Sequence, residues 1–165
     1  MDEDKLNRLP PDVKKQFIKL ASKLSEKKQK TKVHDDFLSF VKHVWPEFIE
    51  GAHHKKIAEK FNDIANKKIK RLIINMPPRH TKSEFASFLL PAWMVGRRPN
   101  LKIIQSTHTT ELAIRFGRKA KNLMDSAEYK QVFDTRLRED SQAAGKWETQ
   151  QGGEYYAAGV GSAIT

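Results

Sequence analysis

Arg71-Leu72-Ile73-Ile74-Asn75-Met76-Pro77-Pro78-Arg79-His80-Thr81-Lys82-Ser83-Glu84 is the stretch from which this chain is read. An apolar strand runs into a basic turn and then directly into a helix opened by Lys82-Ser83, which is the layout of a phosphate-binding loop. In such a loop the backbone N–H groups and the helix N-terminus face an anion. The lysine ammonium reaches the outer phosphates, and the next hydroxyl helps hold Mg²⁺. Against the pattern G-x-x-x-x-G-K-[ST], Met76 and Thr81 stand where glycines are expected. Two prolines and a threonine must therefore shape the turn in another way. The plain alternative is a strand-turn-helix that happens to carry a lysine on its first helical turn.

The residues around the loop favour phosphate binding. Phe85, Phe88 and Leu89 share one side of the helix, which is expected to end near Gly96, and a second apolar strand follows at Leu101-Lys102-Ile103-Ile104-Gln105-Ser106. Strand, loop, helix and strand make a βαβ unit. Its right-handed crossover places the loop at the carboxyl end of the first strand, where open α/β sheets bind nucleotides.

From about Phe37 to Thr165 the chain resembles the ATPase domain of large terminase subunits, the DNA-packaging motors of tailed bacteriophages. The resemblance is carried by Ile74 to Glu84, Pro91-Ala92-Trp93, Gly96-Arg97, Glu111-Leu112-Ala113 and Phe116-Gly117-Arg118. It continues in Asp140-Ser141-Gln142-Ala143-Ala144-Gly145, Trp147 and Gly152-Gly153-Glu154-Tyr155-Tyr156-Ala157-Ala158-Gly159-Val160-Gly161. One branch of that family has glycine where this chain has Thr81. The resemblance implies a P-loop NTPase sheet of the ASCE/RecA-like kind, α/β with helices on both faces, behind a helical N-terminal segment. It implies ATP and Mg²⁺ as cofactors. Lys82 would pair with the outer phosphates, Ser83 would sit on Mg²⁺, and Pro78, Arg79, His80, Thr81 and Glu84 would complete the cradle. Arg79 is the candidate for stabilising transition-state charge, or alternatively for a general phosphate or DNA contact. In the family the segment before the loop strand contributes to adenine recognition; here His54 occupies that place, unless it and His53 are solvated helix-start residues. Double-stranded DNA, a portal protein, a small terminase subunit and a ring homo-oligomer are the implied partners, in the cytoplasm of an infected bacterial host.

Composition sets the outer limits. A chain of 165 residues with 38% hydrophobic content can bury one core. With 31 Lys and Arg against 20 Asp and Glu, the formal charge of +11 favours DNA, RNA or nucleotide as partners, although lysine pairs such as Lys27-Lys28, Lys55-Lys56 and Lys67-Lys68 also serve solubility. The absence of cysteine excludes disulfides, thiol nucleophiles and Cys-containing zinc sites. The start, charged from Asp2 to Lys5, has no targeting character, and no apolar run approaches the ~20 residues of a membrane span.

Two units are expected, a helical extension and linker over 1–34 and a partial ATPase domain over 35–165. Val13, Phe17, Leu20 and Leu24 recur at helical spacing behind Pro10-Pro11, and Ser25 to Lys32 reads as linker. Helices are expected over Asp35 to Val44, over about His53 to Ala65, and from Glu111 to about Asp125 with Thr109 or Thr110 as cap. On the last of these, Leu112, Phe116 and Leu123 face inward, while Arg115, Arg118, Lys119 and Lys121 face out toward either DNA or solvent. Trp147-Glu148-Thr149 and Glu154 to Ala158 read as a hairpin around Gln150 to Gly153. ATP hydrolysis also needs an acid behind the metal-bound hydroxyl and a group that orients water. No apolar strand ending in paired acids follows Ser83, and Asp134, Glu139 and Asp140 read as solvated. The chain is therefore expected to be a fragment with exposed sheet edges, inactive by itself. A helicase-like P-loop motor and a basic nucleic-acid-binding module without catalysis are the alternatives.

Overall fold

The computed structural model describes residues 10–161, so the charged start at Asp2 to Lys5 and the last residues from Ser162 to Thr165 lie outside it. Helix α1, Pro11–Asp35, opens with proline at its first turn and Asp12 beside it, and closes with Lys32, so that the acid and the lysine suit the two ends of the helix dipole. It continues unbroken through Ser25 to Lys32, where a linker was expected. That stretch is rich in Glu, Gln and Lys, which are strong helix formers but leave no apolar periodicity to read. Asp36 ends α1 and caps α2, Phe37–Val44, its carboxylate accepting from the Ser39 N–H at 2.8 Å and from the Asn62 amide at 2.8 Å. Helix α3 is Ala52–Ala65.

Residues 71–76 carry the burial alternation of a strand. Leu72, Ile74 and Met76 pack partly buried against the core, while Ile73 is 86% exposed. Yet they join no ladder among the described residues, so the expected first strand of a βαβ unit is not formed as a strand. The period of two survives because it comes from packing on one side; strand assignment also needs a hydrogen-bonded neighbour, and none lies beside this segment.

Helix α4 spans Lys82 to Arg97 in three parts: α-helical Lys82–Glu84, a π turn at Phe85–Leu89, and α-helical Leu90–Arg97. The π turn has a local cause. Pro91 has no N–H to give to the preceding turn, and the Leu90 N–H bonds instead to the carbonyl of Phe85, five residues back. Strand β1, Lys102–Thr107, follows, then helices α5, Thr110–Asp125, and α6, Ala127–Val132, and strands β2, Leu137–Ala143, β3, Lys146–Thr149, and β4, Glu154–Gly159.

The sheet is mixed, in the order β1-β4-β3-β2. Strand β1 runs parallel to β4 from Lys102↔Glu154 to Thr107↔Gly159, and β3 and β4 form the expected antiparallel hairpin. Strand β2 was not anticipated. Leu137-Arg138-Glu139-Asp140-Ser141-Gln142-Ala143 has no apolar alternation because it is an outer strand, and its Arg138 bridges Asp140 at 2.6 Å and Glu148 of β3 at 2.8 Å. The other outer strand, β1, exposes Ile104 at 63%. Helix α5 lies close on the hairpin: a Cβ at Gly117 would come within 2.5 Å of the Ala144 carbonyl oxygen, and the Trp147 indole N–H donates to the Gly117 carbonyl at 3.3 Å. Leu112, expected to face inward on this helix, is 38% exposed. Phe116 is buried and Leu123 packs partly buried against the core as expected, and Ala113, Gly117, Ala120 and Met124 complete the inner stripe.

The core is aromatic. Phe37 meets Phe61 edge-on at 5.1 Å and Phe85 and Trp93 at 5.4 Å each, while Trp147 and Tyr155 stack at 4.7 Å under α5. The Trp93 indole N–H donates to the His34 carbonyl at 3.0 Å, which ties α4 to the end of α1. Phe85→Ala should lower unfolding stability by about 3–5 kcal/mol, the range for deleting a fully buried phenylalanine. Denaturant unfolding checks this, and a loss below ~1 kcal/mol would mean that the ring is not a core member.

Candidate functional site

The loop between residue 76 and α4 contains two non-glycine residues with positive φ, Arg79 at 62° and Thr81 at 56°. Thr81 is fully left-handed, with ψ 10°. A β-branched residue rarely takes that conformation, at a cost on the order of 1–3 kcal/mol, and persists there only when its surroundings hold it. Two hydrogen bonds do so. The Thr81 hydroxyl donates to the His80 carbonyl at 2.7 Å and accepts from His54 Nε2 at 2.5 Å. The Gly51 N–H donates to His54 Nδ1 at 2.9 Å, so the ring proton sits on Nε2 and points at Thr81. His54 is 6% exposed, with Phe48 at 4.8 Å, Phe85 at 5.1 Å and His53 at 3.8 Å. Thr81 thus adopts the backbone that the missing glycine would supply, with histidine support in place of conformational freedom. This is the arrangement that the sequence did not reveal. The two residues are 27 positions apart and neither belongs to a local pattern that names the other.

A threonine before a helix normally caps it, as Thr109 does for α5 by accepting from the Leu112 N–H at 3.2 Å. Thr81 stands in the same position before α4 and makes no capping bond, because its hydroxyl is held by His54 and His80. The first N–H groups of α4, those of Lys82, Ser83 and Glu84, are therefore left without a side-chain cap, directed out of the helix start beside a lysine. Lys82 Nζ turns back over the loop and donates to the Met76 carbonyl at 3.4 Å. Lys82 and Ser83 also border a cavity of about 430 Å³ whose apolar wall includes Phe61, Ile64, Leu72 and Ile74.

Of the other residues singled out from the sequence, Pro78, Arg79, His80 and Ser83 are exposed and Glu84 is half-buried in the first turn of α4. His80 Nδ1 bonds the Pro78 carbonyl at 2.9 Å, closing the loop on itself. Both ring nitrogens of His54 are engaged within the protein, so a purine edge would have to displace Gly51 or Thr81 to bond it. The exposed Ser83 hydroxyl could supply one oxygen ligand to Mg²⁺, the rest coming from phosphate and water. Among the described residues no group of three or more His, Asp and Glu is placed to share a metal ion. Asp134, Glu139 and Asp140 are exposed. Arg115 and Arg118 of α5 are exposed, whereas Lys119 lies over the Phe88 ring at 5.2 Å. No helix among the described residues is long and apolar enough to cross a membrane. Comparison with protein families, with curated proteins and with solved structures finds no match to the chain.

Burial holds the His54 pKa below its ordinary 6.5, helped by the neighbouring His53 and His80 and opposed by Glu50. With the folded value below the unfolded one, the unfolded chain binds the extra proton first. Stability is then full above about pH 6.5 and falls as pH drops from there toward the folded pKa. Urea midpoints measured from pH 8 to pH 5 should decline more steeply in the wild type than in His54→Gln; parallel declines would remove His54 as the cause. In a double-mutant cycle, His54→Ala should cost about 1–2 kcal/mol with Thr81 present and clearly less in a Thr81→Gly background, since glycine needs no support at positive φ. Additive losses would show that the two residues are not coupled.

Proposed function

We propose that this chain binds the phosphates of a nucleoside triphosphate at the start of α4 and belongs to the ATPase part of a DNA-packaging motor of the large terminase type. The observation that carries the phosphate-binding reading is the uncapped entry to α4. Thr81 is held left-handed, its hydroxyl is occupied by His54 and His80, and the N–H groups of the first turn stay open beside Lys82. An anion satisfies such a helix start better than water, because the N–H groups and the helix dipole act together with the ammonium charge. In this reading Lys82 leaves the Met76 carbonyl for the outer phosphates. Pro78 to Thr81 wrap them with the backbone, and Ser83 offers its hydroxyl to a phosphate-bound Mg²⁺. Arg79, exposed and held at positive φ, offers its guanidinium to charge that develops on transfer.

The packaging role rests on the resemblance of motif order from Ile74 to Gly161 and on the positive charge of +11. In the complete motor, ATP would drive double-stranded DNA into a capsid, with a portal, a small subunit and a ring of copies as partners. The loop serves as the phosphate cradle, and further acidic groups are needed for turnover.

Thermal unfolding with Mg-ATP, paired with calorimetric titration, tests the cradle directly. Mg-ATP should raise the unfolding temperature of the wild type, and Lys82→Ala should weaken binding by roughly tenfold or more, because it removes the one compact cation at the helix entry. Equal affinity in the two proteins, or stabilisation by duplex DNA alone, would overturn the proposal.

A further inference from the structure

Helix α1 buries one residue, Val33, near its end, and over the preceding turns it leaves a row of apolar side chains uncovered. Val13 is 45% exposed, Phe17 36%, Leu20 58% and Leu24 53%. Their spacing of four, three and four residues is that of the d and a positions of a heptad, so the four side chains stack into a seam about 16 Å long on one side of the helix. The seam is narrow. At 100° per residue its members fall within roughly 60° of one another, and Ile18, also 53% exposed, stands roughly 130° round the helix from the seam's centre. The apolar surface is thus a narrow seam plus one separate side chain, where a helix that lies in a membrane surface presents one continuous broad face.

The charges beside the seam select the occupant. With Phe17 and Leu24 at a, the flanking e and g positions include Lys23, Lys28 and Lys30, and none of the flanking positions from Lys14 to Lys30 is acidic. A second copy in parallel would set Lys23 of one chain against Lys28 of the other, and an antiparallel copy would again oppose lysine with lysine. Both pairings place like charges next to a closing apolar seam, so self-association is penalised where a helix with glutamates at those positions is attracted.

We infer that residues 13–30 of α1 form a docking surface for an acidic amphipathic helix of another protein, which lays Leu or Ile side chains along Val13, Phe17, Leu20 and Leu24 and pairs its carboxylates with Lys23, Lys28 and Lys30. The surface ends where Lys27 and Thr31 occupy the next d and a positions, so the contact is about two heptads long and depends on the charge pairing for its orientation. This inference does not rest on nucleotide binding at α4.

The test uses the full chain and a synthetic helical peptide with leucine at a and d and glutamate at e and g, whose own carboxylates oppose its pairing at neutral pH. Binding followed by fluorescence anisotropy should weaken with salt. It should fall by roughly tenfold or more when Leu20→Ala and Leu24→Ala are combined, substitutions at exposed sites that keep helix propensity. The charge reversal Lys23→Glu, Lys28→Glu and Lys30→Glu should transfer preference to the matching lysine-flanked peptide. Lack of binding at the highest soluble peptide concentration would overturn the inference. So would equal binding by wild type and variants, self-association through the same leucines, or binding of the seam to anionic vesicles in place of the peptide.

Discussion

The buried ring of Phe85 is the fixed point from which the loop and much of the helical layer take their positions. It lies three residues past Lys82 and packs against Phe37 at 5.4 Å, Phe48 at 5.5 Å and His54 at 5.1 Å. These partners come from α2, from the turn before α3 and from the start of α3. One side chain therefore sets where α4 begins, and with it where Lys82 and the open N–H groups stand. The same ring abuts His54, which in turn holds Thr81, so hydrophobic packing and the polar support of the loop meet at a single contact. Further along α4, Trp93 reaches the His34 carbonyl, which anchors the end of α1 to the same helix.

The loop reconciles two local preferences that conflict. A threonine at the helix entry favours an extended backbone and a capping bond; here it has neither, because φ is positive and the hydroxyl is drawn to His54. The cost in backbone strain and lost capping is of order 1–3 kcal/mol, which the buried His54 bond and the closure of His80 on Pro78 must offset. Strain that surrounding structure maintains at a helix entry beside a lysine is a common mark of ligand sites, which connects the geometry of Thr81 to the reading of the loop.

The sequence was most legible where side-chain period and burial coincide. Phe37 to Val44, Ala52 to Ala65 and the hairpin from Lys146 to Gly159 follow their apolar spacing closely. It was least legible where one of the two was missing. Leu137 to Ala143 is a strand held by ladder bonds and by Arg138, with no apolar alternation to announce it. Residues 71–76 show the alternation, and a period cannot say whether a neighbouring strand is present. Ser25 to Lys32 is polar all round, so helix and linker look alike until the helix is seen to run on to Asp35. At the candidate site, the sequence singled out Lys82 and Ser83 from the motif, while the hydrogen bond between His54 and Thr81 was not legible, because it joins distant residues through tertiary packing.

The two borders of the sheet are unlike each other, and that asymmetry gives the sheet a direction of growth. At β2 the border is guarded by Arg138, Glu139 and Asp140, side chains that would have to be stripped of water before another strand could approach. At β1 the border carries a single charged side chain, Lys102, paired with Glu154 at 2.7 Å, and Ile104 faces solvent. Among the described residues, β1 is therefore the border where a further strand would meet less charge. Two copies that met through β1 would each present a guarded border outward and stop as a closed pair, where a sheet open on both sides would go on to form a fibre.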